Sequence, residues 1–177
     1  MTGAYEYARA LFMISEEDHS SDKMRMQIET LRDAFLENPD YPLLIDTPAL
    51  SKDERLGLID EAFSSLDQSL VNLIKILAEK RLSYIFPKLA EEYFALYDDS
   101  RGILRAEAVS AAPLTRSQSD ALAKKLSSLT GKTVIISNTI DKSILGGVKL
   151  RYGGIQLDGS VKTKLDKFES ALKSTVI

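Results

Sequence analysis

With 177 residues, 44% of them hydrophobic and 28% charged, the chain is long enough to bury a core as one domain or as two small ones, and its composition is that of an ordinary globular protein. The absence of cysteine excludes a disulfide framework, thiolate ligation of zinc or iron–sulfur centres and thiol catalysis. The net charge of −3 argues against the whole chain being a nucleic-acid binder, but it conceals a polarity: residues 1–104 carry 11 basic and 20 acidic side chains (net −9), and residues 105–177 carry 12 and 6 (net +6). Fields of opposite sign steer different partners, so an acidic front and a basic back suggest two modules.

The opening residues Met1 to Tyr7 lack a basic stretch leading into an apolar run and turn acidic at Glu16-Glu17-Asp18, unlike an export or organellar leader. No uncharged apolar run approaches the ~20 residues that span a bilayer, so membrane association is expected to pass through a partner or a surface contact.

From Gly3 to about Arg101 the apolar residues recur at helical spacing. Ala4, Ala8, Leu11 and Phe12 share one face of the first helix, with Tyr7, Ala10 and Ile14 forming a second apolar surface beside it. That extra face is either covered by neighbouring helices or offered to a partner. Met24, Ile28, Leu31 and Phe35 mark a second helix from Ser21 to Glu37, closed by Asn38-Pro39, in which Met24 and Met26 are expected to fill the core. A short piece around Tyr41 to Ile45 follows. Ser51-Lys52-Asp53-Glu54 has the form of a capping box opening a fourth helix, with Leu56, Ile59 and Phe63 inward.

Asp67 stands where it can cap a fifth helix with the stripe Leu70, Leu73, Ile74 and Leu77. Val71 and Ile76 widen that stripe beyond what one buried face needs. A sixth helix carries Ile85, Phe86, Leu89, Tyr93, Leu96 and Tyr97 and breaks at Asp98-Asp99-Ser100-Arg101-Gly102. Six short helical pieces fit a bundle.

The period then changes. Arg105 to Ala112 is expected as a strand, Thr115 and Gln118 as a capping box for a helix carrying Leu122, Leu126 and Leu129, and Gly131 as its stop. Thr133 to Ser137 is β-branched, Val148, Leu150 and Tyr152 alternate with Lys149 and Arg151, and Ile155 and Leu157 form a brief strand or edge. Asp158-Gly159-Ser160 introduces a final helix with Val161, Leu165, Phe168 and Leu172 on one stripe. The fold class is therefore two-domain, an all-α six-helix bundle over residues 1–104 followed by a small α/β (α+β) domain over 105–177.

A search for chemistry finds no catalytic, cofactor-binding or metal-ligating constellation. Gly131-Lys132-Thr133 resembles the end of a phosphate loop, but the full pattern needs glycine at position 126, which is Leu126, and a strand where a helix stands. Gly146-Gly147 and Gly153-Gly154 bracket a strand and suit turns better than anion nests. Asp158-Gly159-Ser160 suits a turn and a helix cap, His19 is the only histidine, and Glu91-Glu92 and Asp98-Asp99 suit solvated faces and breaks. Lys149, Arg151, Lys162, Lys164 and Lys167 form a basic set that an acidic protein or an RNA could use, with Tyr152 the one aromatic positioned for stacking.

Three separated segments resemble the delta subunit family of F-type ATP synthase, which includes the mitochondrial oligomycin-sensitivity-conferring protein. They are Tyr7-Ala8-Arg9-Ala10-Leu11-Phe12, then Asn72-Leu73 with Leu77 and Lys80-Arg81, then Ile144-Leu145-Gly146-Gly147 with Leu157-Asp158-Gly159-Ser160-Val161 and Leu165. Val109 to Thr115 is similar to the family's entry into its second domain. The resemblance implies a non-catalytic stator connector without cofactor or metal, holding the catalytic head to the peripheral stalk so that proton-driven rotation is coupled to ATP synthesis.

It further implies alpha-subunit N-terminal helices bound by the first domain near helices one and five, for which the residues expected in contact are Tyr7, Ala10, Leu11, Ile14, Val71, Ile74 and Lys75. The b-subunit stalk is implied at the second domain, with Lys149, Arg151, Lys164 and Lys167 as stalk-facing groups and Gly146, Gly147, Asp158 and Gly159 preserving its fold. The implied location is peripheral, on the cytoplasmic side of a bacterial cell membrane through the complex, with neither nucleic acid nor a small-molecule substrate. The alternative that the charge split supports is a standalone protein-binding or RNA-binding adaptor.

Overall fold

A computed structural model describes residues 3–144, 146–152 and 155–158, the last stretch without the side chains of residues 155, 157 and 158. The chain divides into two compact units, one ending at Tyr97 and the other beginning at Asp98.

The first unit is helical: α1 (Gly3–Glu17), α2 (Ser21–Glu37), α3 (Asp40–Asp46), α4 (Lys52–Ala62), α5 (Gln68–Glu79), a 3-10 turn at Ser83–Ile85 and α6 (Phe86–Ser100), whose last residues belong to the second unit. Its core gathers Ala4, Ala8 and Leu11 of α1, Met24, Ile28, Leu31 and Phe35 of α2, the α5 stripe, and Phe86, Leu89 and Tyr93 of α6. Edge-to-face ring pairs link Phe12 to Tyr93 and Phe35 to Phe86. Met26 departs from expectation: it is exposed, because two positions along a helix from buried Met24 lies roughly on the opposite side. In α4 the buried residues are Ile59 and Arg55, while Leu56 and Phe63 are half-buried.

Local chemistry sets the helix boundaries. Glu54 N–H donates to Ser51 Oγ (3.3 Å) while Ser51 N–H donates to the Glu54 carboxylate (3.0 Å), the reciprocal box that opens α4. Ser69 N–H donates to the Asp67 carboxylate (3.1 Å) at the start of α5. The α1–α2 connection passes through exposed His19 at φ 52°, with Ser20 N–H returning to the Ser15 carbonyl.

The second unit contains β1 (Ile103–Ser110), α7 (Arg116–Thr130), β2 (Thr133–Ile140), β3 (Val148–Tyr152) and β4 (Ile155–Asp158). The sheet order is β2-β1-β3-β4, with β1 and β2 parallel through the α7 crossover and both other pairs antiparallel. Ala106, Leu126 and Val134 form its core with Leu104, Ala123, Ile136, Leu150 and Tyr152 packed around them. β1 begins two residues earlier than expected and stops at Ser110, and β2 runs three residues longer, because the parallel ladder pairs Ile103–Ser110 with Thr133–Ile140 along its whole length. The break expected over Asp98-Asp99-Ser100-Arg101-Gly102 falls in its second half: helix geometry continues to Ser100 and Gly102 turns the chain at φ 61°. The expected final helix lies outside the described residues.

Candidate functional site: the α1–α5 face and the basic sheet

On α1, Tyr7, Ala10 and Ile14 recur at spacings of three and four, a row beside the buried Ala4, Ala8 and Leu11. Ala10 is exposed and Ile14 is 43% exposed, while Tyr7 is half-buried. α1 packs directly on α5. The Lys80 ammonium lies 5.5 Å from the centre of the Tyr7 ring, and its hydrogen bond to Tyr7, followed by the charge interaction with it, raises the Lys80 pKa above the ordinary lysine value. This pins the C-terminal end of α5 to the second turn of α1.

On α5, Val71 and Ile74 are buried with Leu70, Leu73, Leu77 and Ala78. Lys75 is half-buried and its ammonium lies 2.6 Å from the Asp60 carboxylate of α4. Ile76 is 44% exposed and Met13 of α1 is 53% exposed. The residues expected at a partner contact thus fall into two layers. Leu11, Val71 and Ile74 are core residues beneath the face. Ala10 and Ile14 stand on the surface, with Tyr7 and Lys75 half-covered between.

Sequence reasoning passed over Met13 and gave Lys80 no place in this face. Met13 sits off the main stripe and its neighbours supply no pattern. Lys80 lies one residue beyond α5, where periodicity no longer points a side chain anywhere.

In the second unit Lys149 is half-buried on β3 and stands opposite Val109 of β1 and Asp158 of β4 in the ladder. Arg151 is exposed, 3.5 Å from the Glu107 carboxylate, and its Nε donates to Gln156 Oε1 (3.3 Å). Gly147 adopts φ 84°, a conformation that favours glycine, just before β3 begins. Gly146 is half-buried beside it and Asp158 ends β4, while Lys164, Lys167 and Gly159 lie outside the described residues. The Asp141 carboxyl is held below its ordinary range by hydrogen bonds from Ser143 and, more weakly, by the charges of Lys149 and Arg151.

Gly131-Lys132-Thr133 is a helix stop and a strand start. Gly131 takes the left-handed cap at φ 71°, and Lys132 pairs with Asp99 at 2.7 Å. Among the described residues no cluster of histidine, aspartate and glutamate is placed to hold a metal ion, and no helix is long and apolar enough to cross a membrane.

The described residues thus form a helical bundle with an apolar face on α1 and α5 and a small mixed sheet with cationic strand residues. Residues 4–172 match the family model described as ATP synthase delta (OSCP) subunit, and the chain belongs to that family. It is 36% identical over 170 residues to ATP synthase subunit delta of Geobacillus sp. (strain WCH70), covering 96% of each chain. It is 34% identical over 176 residues to the subunit delta of Clostridioides difficile (strain 630), covering 98% of this chain and 97% of that one.

Its fold matches a chain in the mitochondrial ATP synthase hexamer of Toxoplasma gondii with a TM-score of 0.72, over 97% of this chain and 98% of that one, at 24% identity. The protein is accordingly a non-catalytic stator connector that links the catalytic head of an F-type ATP synthase to its peripheral stalk. The standalone protein- or RNA-binding adaptor has no support from these likenesses.

Proposed function

We propose that the α1–α5 face receives N-terminal helices of the alpha subunits, and that the C-terminal unit meets the end of the b-subunit stalk through Lys149, Arg151, Lys164 and Lys167, on the cytoplasmic side of a bacterial membrane. The observation that carries the first half is the two-layer construction of the face. Ala10, Ile14, Met13 and Ile76 offer apolar surface, and Leu11, Val71 and Ile74 hold it rigid from beneath. An amphipathic helix laid on such a surface excludes water from its own apolar stripe, while the Tyr7–Lys80 and Lys75–Asp60 pairs at the margins fix its register. The construction suits a joint that carries load, because docking requires no rearrangement of the bundle.

The basic strand suits a carboxylate-rich stalk end, but exposed ion pairs contribute only about 0–1 kcal/mol each, so apolar contacts supplement charge there. On this reading Gly146, Gly147 and Asp158 preserve the turn and strand that present the basic residues, and Gly159 is assigned to the fold rather than to the contact.

Amide NMR of the labelled full-length chain, titrated separately with the alpha N-terminal peptide and a C-terminal b fragment, tests both halves. The expected result is alpha-induced shifts confined to α1 and α5 and b-induced shifts confined to the second unit. Ile14→Arg is expected to weaken alpha binding about tenfold or more. An alpha response that avoids α1 and α5, or a b response in the bundle, would sink the assignment.

A further inference from the structure

A second apolar surface lies away from the α1–α5 face. A groove of about 610 Å³ opens between the C-terminal half of α2, α3 and α4, walled by Leu31, Phe35, Leu44, Ile45, Leu58 and Ile59. Its mouth is unusually apolar for a surface: Leu44 is 63%, Leu58 52% and Tyr41 48% exposed. The one charged side chain in the lining, Arg55, is 7% exposed and directs Nη2 to the carbonyl oxygens of Thr47 (2.7 Å) and Leu50 (3.2 Å), so it tethers the α3–α4 connection. An anionic lipid or fatty acid would therefore find an apolar trough with no cation turned toward its headgroup.

The surrounding charges have the opposite sense. Glu37 lies one turn beyond the lining residue Ala34, Asp40 one turn before the lining residue Leu44, and Glu61 one turn beyond the lining residue Leu58. None of these carboxylates has an ion-pair partner among the described residues, and the nearby Lys52 is committed to Glu79 at 2.7 Å. An apolar trough walled by helices and rimmed by unpaired carboxylates is complementary to a helix with one apolar stripe flanked by lysines or arginines. The same rim repels a second copy of this acidic bundle and an anionic bilayer alike.

We infer that the α2–α3–α4 groove is a second docking surface, and that its occupant is a basic amphipathic helix of a partner protein. This inference does not rest on the assignment of the α1–α5 face.

The test uses full-length, methyl-labelled protein and a designed helix of about 18 residues with leucines at i, i+3, i+4 and i+7 and lysines on both flanks. The controls are the same peptide with every lysine changed to glutamate, and decanoate. The expected result is saturable shifts at the Leu44, Ile45, Leu58 and Ile59 methyls with the lysine peptide, and binding at least about tenfold weaker for the glutamate peptide.

Leu58→Arg, at an exposed position, and Ala62→Trp, which fills the groove, are each expected to reduce binding about tenfold or more, with circular dichroism checking that the bundle is intact. Ile14→Arg is expected to leave this binding unchanged, which separates it from the α1–α5 face. Equal binding of the two peptides, preferential binding of decanoate, shifts centred on α1 and α5, or full binding by both groove variants would each overturn the inference.

Discussion

Tyr93 shows how little freedom a single buried residue has in this bundle. Its ring is fully buried against Phe12 and Phe94, and its hydroxyl lies 2.8 Å from Ser15 Oγ. Ser15 Oγ also lies 2.8 Å from the Phe12 carbonyl oxygen, and the tyrosine hydroxyl 3.5 Å from the Ser21 carbonyl oxygen. Tyr93→Phe keeps the packing and removes the hydroxyl's hydrogen bonding, and is expected to cost about 1 kcal/mol in urea unfolding. A Ser51→Ala change removes the α4 cap and is expected to cost a similar amount, about 1 kcal/mol.

Acid sensitivity also belongs to individual residues. Hydrogen bonds from Ser51 lower the Glu54 pKa, and the hydrogen bond and charge of Lys132 lower that of Asp99. A carboxylate whose folded pKa is depressed stabilises the fold above its unfolded pKa, and that contribution is lost as pH falls through the folded value. Stability is therefore expected to hold down to about pH 4.5 and then decline as the solution is made more acid. In Lys132→Met the acid decline of the second unit should be shallower. An unchanged profile in that variant would show that the Asp99–Lys132 pair is not felt in solution.

At the level of elements, α7 and β2 are joined by a turn that only one residue type suits. Gly131 adopts φ 71°, and a Cβ placed there meets nothing within 4 Å. Gly131→Ala is thus a conformational perturbation without a clash, expected to cost about 1 kcal/mol by thermal unfolding, with an unaltered sheet. β2 lies at one end of the described strand order and carries no charge from Thr133 to Ile140, with Ile135 and Ile140 exposed. An uncharged, β-branched edge is a template for pairing with another chain. Ile135→Lys is expected to leave stability within about 0.5 kcal/mol and to reduce aggregation on heating, read by light scattering.

At the level of the whole molecule, the chain has two cores. One is built from Ile28, Leu77 and Tyr93 among others, and the other is centred on Ala106, Leu126 and Val134. Ile28→Ala, at a fully buried position, is expected to cost the bundle about 2–5 kcal/mol, with the second-unit methyl signals melting where they did before. Simultaneous loss of both sets of signals would show the two units to be one cooperative body. The opposed net charges also separate the two joints proposed above: on that proposal, binding of the b fragment should weaken markedly between low and physiological salt, whereas binding of an apolar-striped helix to α1 and α5 should change little.

Period and punctuation were enough to read the elements from the amino-acid order. The 3.6-residue spacing of Met24, Ile28, Leu31 and Phe35, the capping boxes at Ser51–Glu54 and Thr115–Gln118, and the glycine stop at 131 each act within a few residues, so each was legible before any tertiary contact was known. The family resemblance was legible for the same reason, carried by short separated segments such as Tyr7 to Phe12 and Leu157 to Val161. What depended on the tertiary structure was the sorting of apolar residues into core and surface. Leu11, Val71 and Ile74 differ from Ile14 and Ile76 in no property of their own, and only the packing of α1 on α5 decides which are covered. The same holds for the Lys80–Tyr7 contact, the Arg55 tether and the α2–α3–α4 groove. Each joins residues from separate elements, and periodicity along one helix carries no information about the surface of another.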